Sequence, residues 1–176
     1  MKVLPVTVSL PARPTGRRPC HHGHAARPDW IFGGVSGDDA NKGSDPSDVA
    51  DAAPMEDWSI TPTNGAIPQK WKLCYSGAQR CNDVLKTLPL ATDIPADEQT
   101  TIIAQAKFLR AFYHFELKKI FGNIPYADEN LTVDNTTNTV DVWPNIEADL
   151  NDAIAGLPET WSQVGRVNKW AAKSLL

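Results

Sequence analysis

Cysteine, histidine, excess positive charge and long apolar runs are all scarce in this chain, and each scarcity removes a class of protein. Its 176 residues contain three cysteines, too few for a disulfide framework. Cys74 and Cys81 fall on one expected helix, about 10 Å apart along its axis, beyond the Cα separation of about 7 Å that a bridge permits. They read as small core residues. No apolar run approaches the roughly 20 residues of a membrane-spanning helix. Three of the four histidines lie in Cys20-His21-His22-Gly23-His24, a tract that could capture a metal adventitiously but has no matching ligand pair elsewhere. The formal net charge is −4, which argues against a nucleic-acid binder. A Gly-x-Ser-x-Gly elbow, a His-Glu-x-x-His pair and a phosphate loop are all missing, so the sequence offers no catalytic constellation and no cofactor site. Asp39-Ala-Asn-Lys-Gly43 lacks the sixth-position glycine and twelfth-position glutamate of an EF-hand.

The charge that is present is unevenly placed. Residues 1–29 carry five Lys/Arg, one Asp and five Pro, whereas residues 33–66 carry seven Asp/Glu and one Lys. This change sets a boundary near Trp30. Residues 1–29 read as a disordered or non-native leader. Met1–Leu10 is short, carries one Lys and is broken by Pro5, a poor secretory signal. Residues 33–66, rich in Gly, Pro, Asp, Ser and Thr, read as loops.

Beyond them the apolar residues follow a helical period. A first helix is expected over Pro68–Leu88, with Trp71, Cys74, Tyr75, Ala78, Cys81, Leu85 and Leu88 on one stripe and Asn82 inside it, where it needs hydrogen-bond partners. A second begins at Asp97-Glu98 and stops at Gly122, with Pro125 beyond. Taken at about 100° per residue, it has two apolar faces. Ile102, Ala106, Leu109, Tyr113, Leu117 and Ile120 form one; Ala104, Phe108, Ala111, Phe112 and Phe115 form the other. Lys107, His114 and Lys118 fill one seam, and Gln105 and Glu116 the other. Two faces require neighbours on both sides, expected to be Pro68–Leu88 and Asp141–Leu157. Arg110, at the edge of the first face, either snorkels to water or pairs with Asp149. The third helix, Asp141–Leu157, buries Val142, Ile146, Leu150, Ala153 and Leu157. A fourth starts at the N-cap Asn168 and runs to the end of the chain. Trp71, Trp143 and Trp170 fall on helical stripes and are assigned to the core.

The fold class is therefore all-α, irregular helical hairpins of tetratricopeptide-like type joined by long loops. Several segments resemble the SusD/RagB family of outer-membrane nutrient-binding lipoproteins. They are Phe32-Gly-Gly-Val-Ser-Gly-Asp-Asp-Ala-Asn-Lys-Gly43, Trp71-x-x-x-Tyr75 with Asn82, Gln105-Ala-Lys-Phe-Leu-Arg-Ala-Phe-Tyr-His-Phe115, and Phe121-Gly-Asn-Ile-Pro125. Val142-Trp143, Asp149-Leu150, Leu157-Pro158 and Gly165-Arg166-Val-x-Lys169-x-Ala171-Ala172 complete the series. The resemblance covers residues 30–176 and is similar to the N-terminal part of a family member. We therefore expect a partial SusD-like helical domain, truncated at its C-terminus. Cys20 follows Arg-Arg-Pro, which is not the lipid-attachment context of the family.

The resemblance implies a non-enzymatic protein at the cell surface on the outer membrane. It would bind an oligosaccharide or other nutrient and partner a TonB-dependent transporter of the SusC type. The residues themselves also allow a helical-repeat scaffold for protein–protein interaction. Sugar binding needs aromatic faces for C–H surfaces and polar groups for hydroxyls. The loop Glu56-Asp-Trp-Ser-Ile-Thr-Pro-Thr-Asn64 offers Asp57, Trp58 and Asn64 as candidate ligand contacts. Trp58 and Trp161 could instead anchor their loops by packing, which the average burial of tryptophan favours.

Overall fold

The computed structural model describes residues 30–43, 45, 47, 50–132 and 136–176. The leader and the Cys20–His24 tract lie outside the described residues. Among the described residues there is no strand. Five α-helices follow one another in the described residues: α1 (Ala53–Glu56), α2 (Ala66–Thr87), α3 (Ala96–Phe121), α4 (Trp143–Gly156) and α5 (Lys169–Leu175). A π-helical turn, Ile31–Val35, and a 3-10 turn, Ala50–Ala52, precede α1. The long loop expected before α2 thus contains short helical turns. Pro54 suits the first turn of α1, and Ala52 and Met55 are buried with Ile31, Val35 and Ala66 in a small core of their own.

Helix α3 lies between α2 and α4, and α4 also packs on α5. Both faces are covered, as its two stripes require. Close approaches mark each contact. Gly77 of α2 lies so near the Tyr113 ring that an added Cβ would stand 2.7 Å from Cδ2, and a Cβ on Gly156 of α4 would stand 2.8 Å from that of Ala104. Phe115 meets Trp143 edge to face, with centroids 5.7 Å apart. Gly122 turns the chain out of α3 with φ of 70°, a conformation that costs glycine little. At α5, the Asn168 side chain accepts a hydrogen bond from the Ala171 N–H at 2.9 Å, the expected N-cap. Two tryptophans assigned to the core are not buried: Trp71 is partly exposed, and Trp170 is 52% exposed with the Lys173 ammonium 4.8 Å from its ring centroid. A seven-residue helix has too few turns to define a buried stripe.

The seam holding His114 is closed by the chain that follows α3. Residues 124–129 lie across it, and side chains of α2 and α3 hold them largely through main-chain atoms of the segment. Tyr75 Oη donates to Pro125 O at 2.7 Å, and Asn82 Nδ2 donates to Ala127 O at 2.9 Å. The Ala127 N–H donates to His114 Nε2 at 2.9 Å. Beside them Arg110 is buried, which decides between its two expected states. It grips Asp149 with both arms, Nε to Oδ2 at 2.6 Å and Nη2 to Oδ1 at 2.7 Å. Its Nη1 donates to Asn82 Oδ1 at 3.0 Å and to Glu129. Tyr126 Oη donates to Asp149. Bidentate geometry and satisfied lone pairs are the conditions under which buried charge is tolerated. In the opposite seam Glu116 accepts from the buried Lys70 at 2.9 Å and from Lys119 at 2.5 Å.

Candidate functional site

The loop that follows α1 carries the three residues singled out from the sequence. Its first residue, Asp57, ends α1 by donating its N–H to Ala53 O at 3.1 Å. The carboxylate Oδ1 then accepts from the Ser59 N–H at 3.0 Å and from the Ser59 hydroxyl at 2.5 Å. These two bonds hold the Asp57 carboxyl below the usual carboxylate range. Trp58 sits between the bonded residues with φ of 61°, a left-handed conformation that is unusual for a bulky side chain. Its side chain is not folded onto the helices: Trp58 is 75% exposed. The loop therefore holds its tryptophan out in water. Trp161 takes the packing role, half-buried, with Nε1 donating to Val167 O at 2.6 Å and Arg166 4.0 Å above the ring centroid.

Asn64 closes the loop and is buried. Its Nδ2 donates to Asp51 O at 2.9 Å, its Oδ1 accepts from the Ala66 N–H at 3.0 Å, and its own N–H donates to Thr61 O at 3.0 Å. Both ends of its amide are used inside the fold. The structure thus brings Asp57 and Trp58 together on the surface and places Asn64 underneath, at the start of α2.

Beside Trp58 is a groove of about 460 Å³. Phe32, Met55 and Ile67 from the small core line it, with Ile120 and Phe121 from the last turn of α3; Trp58, Ile60 and Ser36 complete the lining. The surface offered is mostly apolar, and its side chains include one hydroxyl and no titratable group. Such a lining accepts C–H surface and orients a ligand with few polar contacts. Phe32, Met55, Ile120 and Phe121 are groove residues that the periodicity of the sequence does not mark as a candidate site. The one available signal is the position of Ile120 and Phe121 just before the stop at Gly122.

The model of a family described as starch-binding and associating with the outer membrane matches residues 37–176. The chain belongs to this SusD-like family. A SusD-like protein of Bacteroides ovatus is 30% identical over 126 residues, which span 68% of this chain and 23% of that relative. Among solved structures, the surface glycan-binding protein A of Bacteroides uniformis superposes with a TM-score of 0.73 at 28% identity, covering 86% of this chain and 38% of that one. The corresponding protein of Bacteroides thetaiotaomicron, solved in complex with laminarihexaose, gives a TM-score of 0.66 at 29% identity, covering 84% of this chain and 34% of that one. This SusD-like chain thus spans about a quarter of the curated relative and about a third of the solved ones.

Proposed function

We propose that the chain supplies a helical portion of a cell-surface glycan-binding protein, and that Trp58 is its sugar-stacking face. The observation that carries this is the exposed indole, held in a left-handed backbone conformation beside an apolar groove. A pyranose ring has a flat C–H face that packs on such a surface, and its hydroxyl rim stays in reach of water and polar loop atoms. The groove lining carries no acid–base pair, which favours binding over catalysis. Family membership and the laminarihexaose-bound relative support a glycan as the ligand. On this reading the protein acts at the outer membrane and passes its ligand to a TonB-dependent transporter of the SusC type.

Affinity electrophoresis through gels containing laminarin or starch tests the proposal. The wild-type chain is expected to be retarded in at least one gel, and Trp58→Ala to migrate freely. Because Trp58 is exposed, the substitution should change stability by no more than about 0.5 kcal/mol. Equal retardation of the two proteins, or none in either gel, would sink this assignment.

A further inference from the structure

We infer that Asp57 is a positioning residue that fixes the orientation of Trp58, rather than a group that touches the sugar. The inference rests on the proposed role of Trp58 and adds how the fold maintains it. Among the described residues only Asp38 and Trp58 combine a side chain with positive φ. A bulky residue stays in that region only where its surroundings hold it there.

The restraint visible at Trp58 is the pair of bonds across it. Asp57 Oδ1 takes the N–H and the hydroxyl of Ser59, so the residues before and after Trp58 are tied together. Such an aspartate-centred turn stabilises main-chain conformations that the intervening residue would not choose. At the other end, Asn64 fastens the loop to the main chain of Asp51 and Ala66. Trp58 lines the groove, whereas Asp57 and Asn64 do not. The two polar residues that sequence logic assigns to sugar hydroxyls therefore bond to the protein itself, Asp57 within the strap that carries the aromatic face and Asn64 beneath it.

Substitution at Asp57 separates the roles, because an amide oxygen keeps the acceptor while losing the charge. The full chain is labelled with 5-fluorotryptophan, and the Trp58 fluorine resonance is assigned with Trp58→Phe. Asp57→Ala is expected to shift that resonance and to weaken laminarihexaose binding about tenfold, and Asp57→Asn to leave the resonance in place and the affinity within about twofold. An unmoved Trp58 resonance in Asp57→Ala would overturn the inference. So would an Asp57→Asn protein that keeps the resonance but loses affinity as Asp57→Ala does, because the charge itself would then contact the ligand. Should wild-type protein ignore laminarihexaose, the glycan assignment fails for that probe, and the fluorine resonance alone still decides whether Asp57 positions Trp58.

Discussion

His114 gives the sharpest quantitative expectation. The backbone N–H of Ala127 can only donate, so His114 Nε2, 2.9 Å away, must accept. The ring proton is then on Nδ1, donated to Arg110 O at 2.9 Å. A second ring proton would face the Ala127 N–H with no acceptor, in a side chain that is 0% exposed. Burial accordingly pushes the His114 pKa down to about 4, opposed by the hydrogen bond to Arg110 O; the nearby Arg110 guanidinium adds to the depression, and Asp149 and Asp128 weaken it. The unfolded chain takes the proton near pH 6.5 and the folded chain near 4. Between these values the unfolded state binds more protons, so stability falls as pH falls. The contribution is complete above about pH 6.5, and about 2–3 kcal/mol of it is lost by pH 4.5.

Glu129 also carries a lowered pKa, so the wild-type curve alone does not isolate the histidine. The difference from His114→Gln does, because glutamine can accept from Ala127 and does not titrate. Urea unfolding at intervals from pH 7.5 to 4.5 is expected to show the wild-type protein losing about 2–3 kcal/mol more than the variant over that range. Parallel curves would show that His114 has an ordinary pKa, and the tautomer and the clamp over the seam would then be wrong.

Two further substitutions probe the packing around α3. Asp149→Ala leaves the Arg110 guanidinium buried without its bidentate partner, and urea unfolding should show a loss of about 3–5 kcal/mol; the double variant Arg110→Met with Asp149→Leu should recover part of it, because no fully buried charge is then stranded and Glu129 is open to water. A loss below about 1 kcal/mol in Asp149→Ala would mean the pair is solvated. Gly156→Ala places a methyl 2.8 Å from the Ala104 Cβ and 3.3 Å from Thr100 O. The helical preference of alanine gains up to about 1 kcal/mol, overpacking costs about 1–3, and the net expectation is a lower melting temperature. An unchanged or raised melting temperature would mean that α3 and α4 separate at no cost.

What the sequence disclosed about this molecule follows from what side-chain identity encodes. The two faces of α3 were legible because a period of 3.6 places Tyr113 and Ala104 on opposite sides regardless of loops. Arg110 and Asn82 were legible as polar residues on apolar stripes, which need partners, and Asp149 was the acid on the facing helix. The clamp by residues 124–129 was not legible. It works through Pro125 O, Ala127 O and the Ala127 N–H, main-chain groups that side-chain identity does not encode, proline at 127 excepted. The same limit applies at the site. Trp58 and Asp57 could be named from composition, but the outward pose of the indole depends on a backbone angle that tryptophan rarely adopts. Asn64 was named for its amide, and its use as a brace was visible only once α2 was seen to start at Ala66.

The position of the groove follows from the clamp. Phe121 stacks edge-on against Trp71, with centroids 5.0 Å apart, and also lines the groove. The next residues leave α3 through the positive φ of Gly122, bury Ile124 completely, and enter the polar cluster at Pro125 and Tyr126. One short segment thus forms part of the site wall at its first residue and locks α2 to α3 and α4 a few residues later. The small core contributes Phe32, Met55 and Ile67 to the same groove. A groove shared between a large core and a small one keeps its shape only if the segment at their junction is immobilised. The cost of placing Arg110, His114 and Asp149 in the interior is therefore incurred where rigidity serves the groove. An all-hydrophobic seam could match its stability, but would not fix the backbone of residues 125–127 by directed hydrogen bonds.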